Sequence, residues 1–161
     1  MKSVDGNTGV KLLDCTNPVK NEWRIRWDVQ EYEKGKALYM EEKFDHRPTE
    51  EEIRSVIMTW YNGQTQTDII SGFSYRNVPV WLSSENQFNY KSAYDLAVQT
   101  GGATLPVTFK FGTDTEPQYR TFETLEELTD FYKKLVEHIQ KTQTEGWKKK
   151  DAFDLERYRV E

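Results

Sequence analysis

Apolar and polar residues follow three successive patterns along the chain, each a strand pair followed by a helix. The clearest strand covers residues 23–29, whose apolar positions, Trp23, Ile25, Trp27 and Val29, share one face. Gly35 marks a turn into a second strand at 37–44, which predicts an antiparallel hairpin. Arg24 and Arg26 fall on the opposite face of the first strand. They could line a groove, but we expect them to keep an exposed sheet surface soluble.

The chain before this hairpin has a weaker pattern. The first ten residues contain Gly6 and Gly9 and few apolar residues, so we expect a loose terminus. Residues 10–15 form a short apolar run that predicts a weak strand, and Pro18 ends it.

The pattern changes to a helical one after Pro48. Thr49 and Glu52 have the spacing of a capping box, in which each side chain bonds the other residue's backbone N–H. The apolar stripe behind it has helical spacing: Ile53, Val56, Ile57 and Trp60. The helix ends near Gly63 or continues through Ile70, and Gly72 stops it in either case.

The second unit repeats this arrangement. A hairpin is predicted over residues 73–82, with Pro79 in an edge strand or at a bulge because proline cannot donate to a ladder. Residues 84–87 form a second capping box, and Gly101 ends the helix that follows. The stripe of this helix comprises Tyr90, Ala93, Tyr94, Ala97 and Val98.

The third unit ends the chain. Alternation at 107–111 and again at 119–122 predicts a hairpin, and residues 124–127 form a third capping box. We expect the longest helix to run to about Thr144 and Gly146 to end it, with a short helix near 151–158.

Together these patterns predict an α+β fold, with antiparallel hairpins alternating with three capped helices packed on one face of the sheet. We expect a single domain over residues 1–161, in which a strand-rich part (1–47) precedes a helix and hairpin part (48–161).

Composition narrows the function classes. Only 36% of residues are hydrophobic, so the five tryptophans and nine tyrosines must supply much of the core. The net charge of −5 argues against a nucleic-acid binder. No apolar run approaches the roughly 20 residues of a membrane span, and the start of the chain has no signal-peptide core, so we expect a cytoplasmic protein that binds no membrane.

The sequence provides little catalytic chemistry. Cys15 is the only cysteine, and His46 and His138 lack the spacing of a metal motif, so we expect no metal, no cofactor and no catalytic residue. The paired acidic residues lie in first helical turns, where the helix dipole explains them. We therefore expect a protein that is not an enzyme.

Aromatic residues are the best indication of binding. Trp81 and Trp147 belong less clearly to a core face than the other tryptophans, and an exposed tryptophan indicates a contact surface. Asn86 and Gln87 could supply amide groups to a ligand near Trp81. Core or boundary packing is the alternative for both tryptophans. The basic run 148–150 is interpreted as a solvated helix end.

Three stretches carry a resemblance to a known family: VPVWLSSENQFNYKSAYDLAVQTGGATLPVTFKFG, TFETLEELTDFYKKLVEHIQ and EGWKKKDAFD. With the preceding PTEEEIRSVIMTWYNGQTQTDIISGF, residues 22–154 resemble uncharacterised phage and prophage proteins of gut bacteria. That family is similar to a domain of unknown function in phage tail-fibre and tail-assembly region proteins. The resemblance implies a tail-assembly or virion accessory role, with virion association after assembly, and implies no catalytic residues.

Two functional hypotheses follow. The first is a non-catalytic structural or protein-interaction module of phage or prophage origin, with a protein partner or self-association through a sheet edge or the surface at Trp81 and Trp147. The second is a small ligand- or glycan-binding module, in which aromatic rings stack on sugars.

Overall fold

The computed structural model describes residues 1–159 and falls into two compact units. One unit comprises residues 1–60 with the segment from Ala152 onward, and the other comprises residues 61–151. The boundary between residues 60 and 61 lies inside a helix and not at the composition change near residue 47. The single domain stays a prediction, and we describe each unit separately.

The first unit contains a four-stranded antiparallel sheet. Its strands are β1 (Lys2–Asn7), β2 (Leu13–Asn17), β3 (Glu22–Glu33) and β4 (Lys36–Phe44), in the order β1-β4-β3-β2. The hairpin of β3 and β4 confirms the prediction, and Gly35 lies in its turn. The pairing shifts register between Trp27 and Gln30, where Asp28 has a φ of 52°.

The expectation of a loose terminus was wrong, because residues 2–7 form β1 and pair along their whole length with β4. An edge strand is held by backbone hydrogen bonds, so it needs no apolar alternation. Most side chains of β1 are exposed, which explains why its sequence shows no strand pattern.

The apolar face of the sheet and the first helix behave as predicted. Ile25 and Trp27 are buried, and Trp27 packs edge-on against Trp60 with ring centres 6.0 Å apart. Helix α1 (Glu50–Ser71) carries Trp60 and buries Ile53 and Ile57 on its stripe.

The capping box at the start of α1 is confirmed. The Thr49 backbone N–H donates to Glu52 Oε2 at 2.7 Å, and the Glu52 N–H donates to Thr49 Oγ1 at 3.2 Å. The helix continues past Gly63 and ends before Gly72. This agrees with the longer of the two predicted helix lengths.

The second unit contains two hairpins and two helices in addition to the end of α1. The elements are β5 (Ser74–Tyr75), β6 (Val78–Pro79), α2 (Ser84–Gln99), β7 (Val107–Gly112), β8 (Pro117–Phe122) and α3 (Leu125–Asp151). Each hairpin forms its own two-stranded sheet, so the chain has three sheets among its described residues where we expected one. The α+β class itself is confirmed.

Aromatic rings dominate the core of the second unit. Phe131 of α3 lies at its centre, within 5.2 Å of the ring centres of Tyr75, Tyr90 and Phe122. The predicted stripe of α2 buries Tyr90 and Ala97, but Val98 is exposed. These rings supply the apolar bulk that the aliphatic residues do not.

The caps of α2 and α3 differ in detail from the predictions. Ser83, and not Ser84, is the N-cap of α2, because its Oγ accepts the Asn86 backbone N–H at 3.2 Å. At the start of α3, Thr124 Oγ1 accepts the Glu127 N–H at 3.2 Å as predicted. The Glu127 side chain bonds the N–H of Glu123 instead of that of Thr124.

The expectation that Gly146 ends the long helix was wrong, because α3 continues to Asp151. Gly146 is buried, and a Cβ atom placed on it would lie 2.2 Å from Thr65 Oγ1 of α1. The glycine therefore permits a close approach of two helices and does not terminate one. A short 3-10 helix, Leu155–Tyr158, follows in the first unit.

Candidate functional site

Two of the four residues proposed for binding line one groove of the second unit. The groove has a volume of about 640 Å³ and is lined by Trp81, Asn86, Ser71 and the segments 79–80 and 110–114. This volume lies within the range of about 300–1,000 Å³ that is usual for ligand sites. We take this groove, called the Trp81 groove below, as the candidate site.

The backbone on either side of Trp81 is fixed to the core. Val80 and Leu82 are buried, and their N–H groups donate to Phe73 O at 2.9 Å and Ile70 O at 2.8 Å. Because side chains alternate along an extended chain, burial of both neighbours directs Trp81 outward. Its side chain is 56% exposed, so the alternative of core packing does not describe it.

The amide groups next to Trp81 act on the backbone. The Asn86 side chain donates from Nδ2 to Trp81 O at 2.8 Å, and the Gln87 side chain donates from Nε2 to Leu82 O at 2.7 Å. We expected both amides to supply groups to a ligand, and the structure shows that one N–H of each amide holds the chain next to Trp81. Asn86 lines the groove, whereas Gln87 is not among its lining residues.

The opposite wall is the end of β7 and the loop that follows. Gly112 has a φ of 82°, and a Cβ atom there would lie 2.3 Å from Glu116 O, so the loop requires glycine at this position. Lys110 Nζ lies 4.0 Å from Asp114 Oδ1, and both side chains are exposed. An exposed pair at this distance contributes little to stability and leaves both charges accessible.

Trp147 lies elsewhere. It is also 56% exposed, but it sits on α3 and does not line the groove. The basic run beside it is the last turn of α3, where positive charge complements the helix dipole. Lys148 and Lys149 are exposed, which agrees with a solvated helix end, whereas Lys150 is half-buried and donates to Asn62 Oδ1 of α1 at 2.9 Å.

Among its described residues, the first unit includes two depressions of comparable size, about 500 and 520 Å³. Glu50 and Arg159 in one of them form an ion pair at 3.0 Å, and Arg24 in the other is bonded to Glu41. Neither is lined by an aromatic side chain as exposed as Trp81.

Both histidines support helix ends. His46 Nδ1 lies 2.9 Å from Asp45 Oδ1, and its Nε2 lies 3.0 Å from Glu52 Oε1. The hydrogen bonds to Asp45 and then to Glu52 raise the pKa of His46. The ring donates to both carboxylates when both of its nitrogens carry a proton. His138 Nε2 lies 3.2 Å from the carbonyl of Asp68 near the end of α1.

Sequence reasoning missed a buried charge cluster on the four-stranded sheet. Arg26 is only 7% exposed, and its Nε donates to Glu41 Oε2 at 2.9 Å, while Glu41 is 2% exposed. Arg24 also bonds Glu41, at 3.2 Å, and Arg26 lies 3.3 Å from Asp14. The expectation that both arginines project from an exposed face was therefore wrong for Arg26. A carboxylate at the cross-strand position was the available signal.

Metal-binding clusters and membrane-spanning helices do not occur in the described part of the chain. Residues 1–159 contain no group of three or more His, Cys, Asp or Glu side chains that could hold a metal ion. No helix in that range is long and apolar enough to span a lipid bilayer. Cys15 is half-buried in β2.

Comparisons with known proteins add no family assignment: no family model, no curated protein and no solved structure matches the chain.

Proposed function

We propose that the chain is a non-catalytic protein-interaction module whose contact surface is the Trp81 groove. The observation that carries this proposal is the exposure of a large aromatic side chain on a fixed backbone. Exposed tryptophans that become buried on binding contribute disproportionately to the affinity of protein interfaces.

The support beneath Trp81 strengthens the proposal. Its carbonyl accepts from Asn86, and both neighbouring N–H groups are bonded to the core. A contact residue whose backbone is already ordered loses less entropy on binding than one on a free loop. A partner can therefore bind the groove without a prior rearrangement of the wall that carries Trp81.

The proposal of a non-catalytic role is supported by where the perturbed titratable groups lie. Hydrogen bonds from Lys134 and then from the Tyr75 hydroxyl lower the pKa of Asp130, and burial raises the pKa of Tyr75. Tyr75 and Asp130 bond each other at 2.9 Å and so stabilise the fold. Like His46 and Glu52 of the α1 cap, they do not line the groove.

The biological setting is part of the same proposal. The resemblance of residues 22–154 to phage and prophage proteins suggests a tail-assembly or virion accessory that acts in the cytoplasm and associates with the virion after assembly. Tail-fibre or baseplate genes beside the coding gene are the expected result, and a neighbourhood of metabolic genes would contradict this setting.

A glycan is the alternative ligand, and one observation favours it. Lys110, Asp114 and Thr113 line the same groove as Trp81, so polar groups surround an exposed ring. Sugars bind with their apolar face on an aromatic ring and their hydroxyls on such groups.

Two matched variants test the proposed function. The full chain and its Trp81→Ala and Trp147→Ala variants are immobilised and used to capture proteins from the source cells, and a captured protein is then purified and titrated. Light scattering on the same variants tests self-association. We expect Trp147→Ala, which removes an equally exposed ring elsewhere, to bind as the wild type does.

We expect Trp81→Ala to weaken binding at least tenfold, which corresponds to about 1.4 kcal/mol. Equal affinity of the wild type and Trp81→Ala for every partner and for self-association would refute the proposed surface. Quenching of tryptophan fluorescence by members of a sugar panel, lost in Trp81→Ala alone, would support the glycan alternative instead.

A further inference from the structure

We propose that the Trp81 groove binds an extended peptide segment of the partner, which pairs as an added strand with the free edge of β7. This inference rests on the proposed function and specifies the recognition mode of the same surface. Strand addition combines backbone hydrogen bonds to a sheet edge with pockets for alternate side chains.

The first observation is the run of residues that line the groove. Three consecutive residues at the end of β7, 110–112, line it, together with Thr113 and Asp114 of the loop that follows. Side chains in a strand alternate between faces, so a groove against one face would contact only every second residue. A groove lined by consecutive residues follows the edge of the strand, where backbone N–H and C=O groups lie.

The second observation is that this edge carries no backbone partner in residues 1–159. β7 pairs with β8 on one side. β6 lies close to β7 but forms no ladder with it, and none of the remaining backbone hydrogen bonds of the described chain involves residues 107–112. In an antiparallel pair, alternate residues direct both backbone groups to the partner, and the residues between them direct theirs away. Part of the stretch 110–112 therefore presents free donors and acceptors toward the groove.

The third observation is the different chemistry of the wall that carries Trp81. Pro79 has no N–H, the N–H groups of Val80 and Leu82 are bonded to the core, and the carbonyl of Trp81 accepts from Asn86. This wall offers the Trp81 ring and few backbone groups. One wall thus suits a peptide backbone and the other suits an apolar side chain of that peptide.

The positive charge of Lys110 indicates a second side chain that the peptide should carry. Lys110 lies on the outer face of β7, opposite the exposed Tyr119 of β8, and its pair with Asp114 is long and exposed. A carboxylate of the added strand, on the same face and next to Lys110, forms a favourable cross-strand pair. The expected ligand is an extended peptide with an apolar side chain for Trp81 and an acidic side chain for Lys110.

The probe is a displayed library of random peptides of about eight residues, selected against the full chain. Enriched peptides are resynthesised and titrated by fluorescence anisotropy against the wild type, Trp81→Ala, Lys110→Glu and Trp147→Ala. We expect at least tenfold weaker binding to Trp81→Ala, unchanged binding to Trp147→Ala, and preference of Lys110→Glu for peptides in which the acidic residue is replaced by lysine.

N-methylation of the peptide, one amide at a time, is the decisive measurement. Methylation removes a backbone donor and keeps every side chain, so strand pairing predicts at least tenfold losses at alternate positions and little effect between them. Hydrogen exchange of the complex should show protection in residues 110–112.

The outcomes separate this inference from the proposed function. If a partner requires Trp81 but the methylation scan has no alternation, or no peptide is enriched, strand addition is refuted and the interaction function stands. If neither a protein partner nor a peptide depends on Trp81, both are refuted. Binding of sugars alone also overturns the inference.

Discussion

Substitution of Gly146 by alanine tests the close contact of α1 and α3. On an open helix surface this change would stabilise the protein by about 1 kcal/mol, because alanine has the higher helix propensity. At Gly146 the new Cβ would lie 2.2 Å from Thr65 Oγ1, 2.9 Å from Cγ2 and 3.1 Å from Cβ. All heavy atoms of the Thr65 side chain are thus too close.

The magnitude follows from two opposed effects. Overpacking a tight site costs about 1–3 kcal/mol, and the upper part of that range applies because the side chain of threonine is β-branched and has few rotamers in a helix. Subtracting the gain in propensity leaves a net loss of about 1–2 kcal/mol in the free energy of unfolding.

Gly63→Ala is the matched control, because Gly63 is also inside a helix but a Cβ atom added to it would have nothing within 4 Å. We expect this variant to gain about 0.5–1 kcal/mol. Urea unfolding followed by circular dichroism compares the variants, provided that the slope with denaturant is unchanged.

A double variant isolates the contact itself. Thr65→Ala removes the two nearest atoms, so Thr65→Ala with Gly146→Ala should recover about 1–2 kcal/mol relative to the sum of the single changes. A Gly146→Ala protein as stable as the wild type, with Gly63→Ala stabilised as expected, would refute the close approach of the helices at this position.

Three further predictions concern the caps and the buried charges. Thr124→Ala should lower the free energy of unfolding by about 1 kcal/mol in urea melts, because it removes the N-cap of α3, and an unchanged midpoint would contradict this cap. Since folding raises the pKa of His46, its stabilisation should be complete below about pH 6.5 and disappear as the pH rises through the folded-state pKa. His46→Gln should therefore lower the melting temperature most at mildly acidic pH, and an equal difference at every pH would refute the pairing. Glu41→Ala should cost about 2–4 kcal/mol because it removes the nearest charged partner of the buried Arg26, which keeps only the longer contact with Asp14. Lys36→Ala, which breaks an exposed pair, should cost less than about 1 kcal/mol in the same urea melts.

Most elements of the fold were predictable because the patterns that indicate them, caps, apolar stripes and turns, each lie within a few residues of the chain. The capping box at Thr49 and the stripe of Ile53 and Ile57 need only the geometry of one helix turn, and the structure confirms both. The turn at Gly35 likewise determines a hairpin between adjacent strands.

The features that were missed depend on contacts distant in sequence. β1 is a strand because β4 pairs with it, and Gly146 stays inside α3 because Thr65 lies beside it. Neither neighbour is apparent from the local pattern. The same limit applies to Arg26, whose burial depends on Glu41 in the adjacent strand.

The candidate site was predictable in part. Trp81 stood out because it belonged less clearly to a core face than the other tryptophans, and the structure exposes it. The groove also needs β7, which lies far along the chain, so Lys110 and Asp114 could not be associated with Trp81 from sequence. Trp147 shared the same local signal and lies elsewhere.

The buried pair of Arg26 and Glu41 restricts how this sequence can diverge. Loss of either charge alone leaves the other buried with only a longer and more exposed partner, Asp14 for Arg26 or Arg24 for Glu41, whereas exchange of both for apolar residues of similar volume avoids that penalty. Homologous chains should accordingly keep both residues or neither, so that the two positions covary and single replacements are rare.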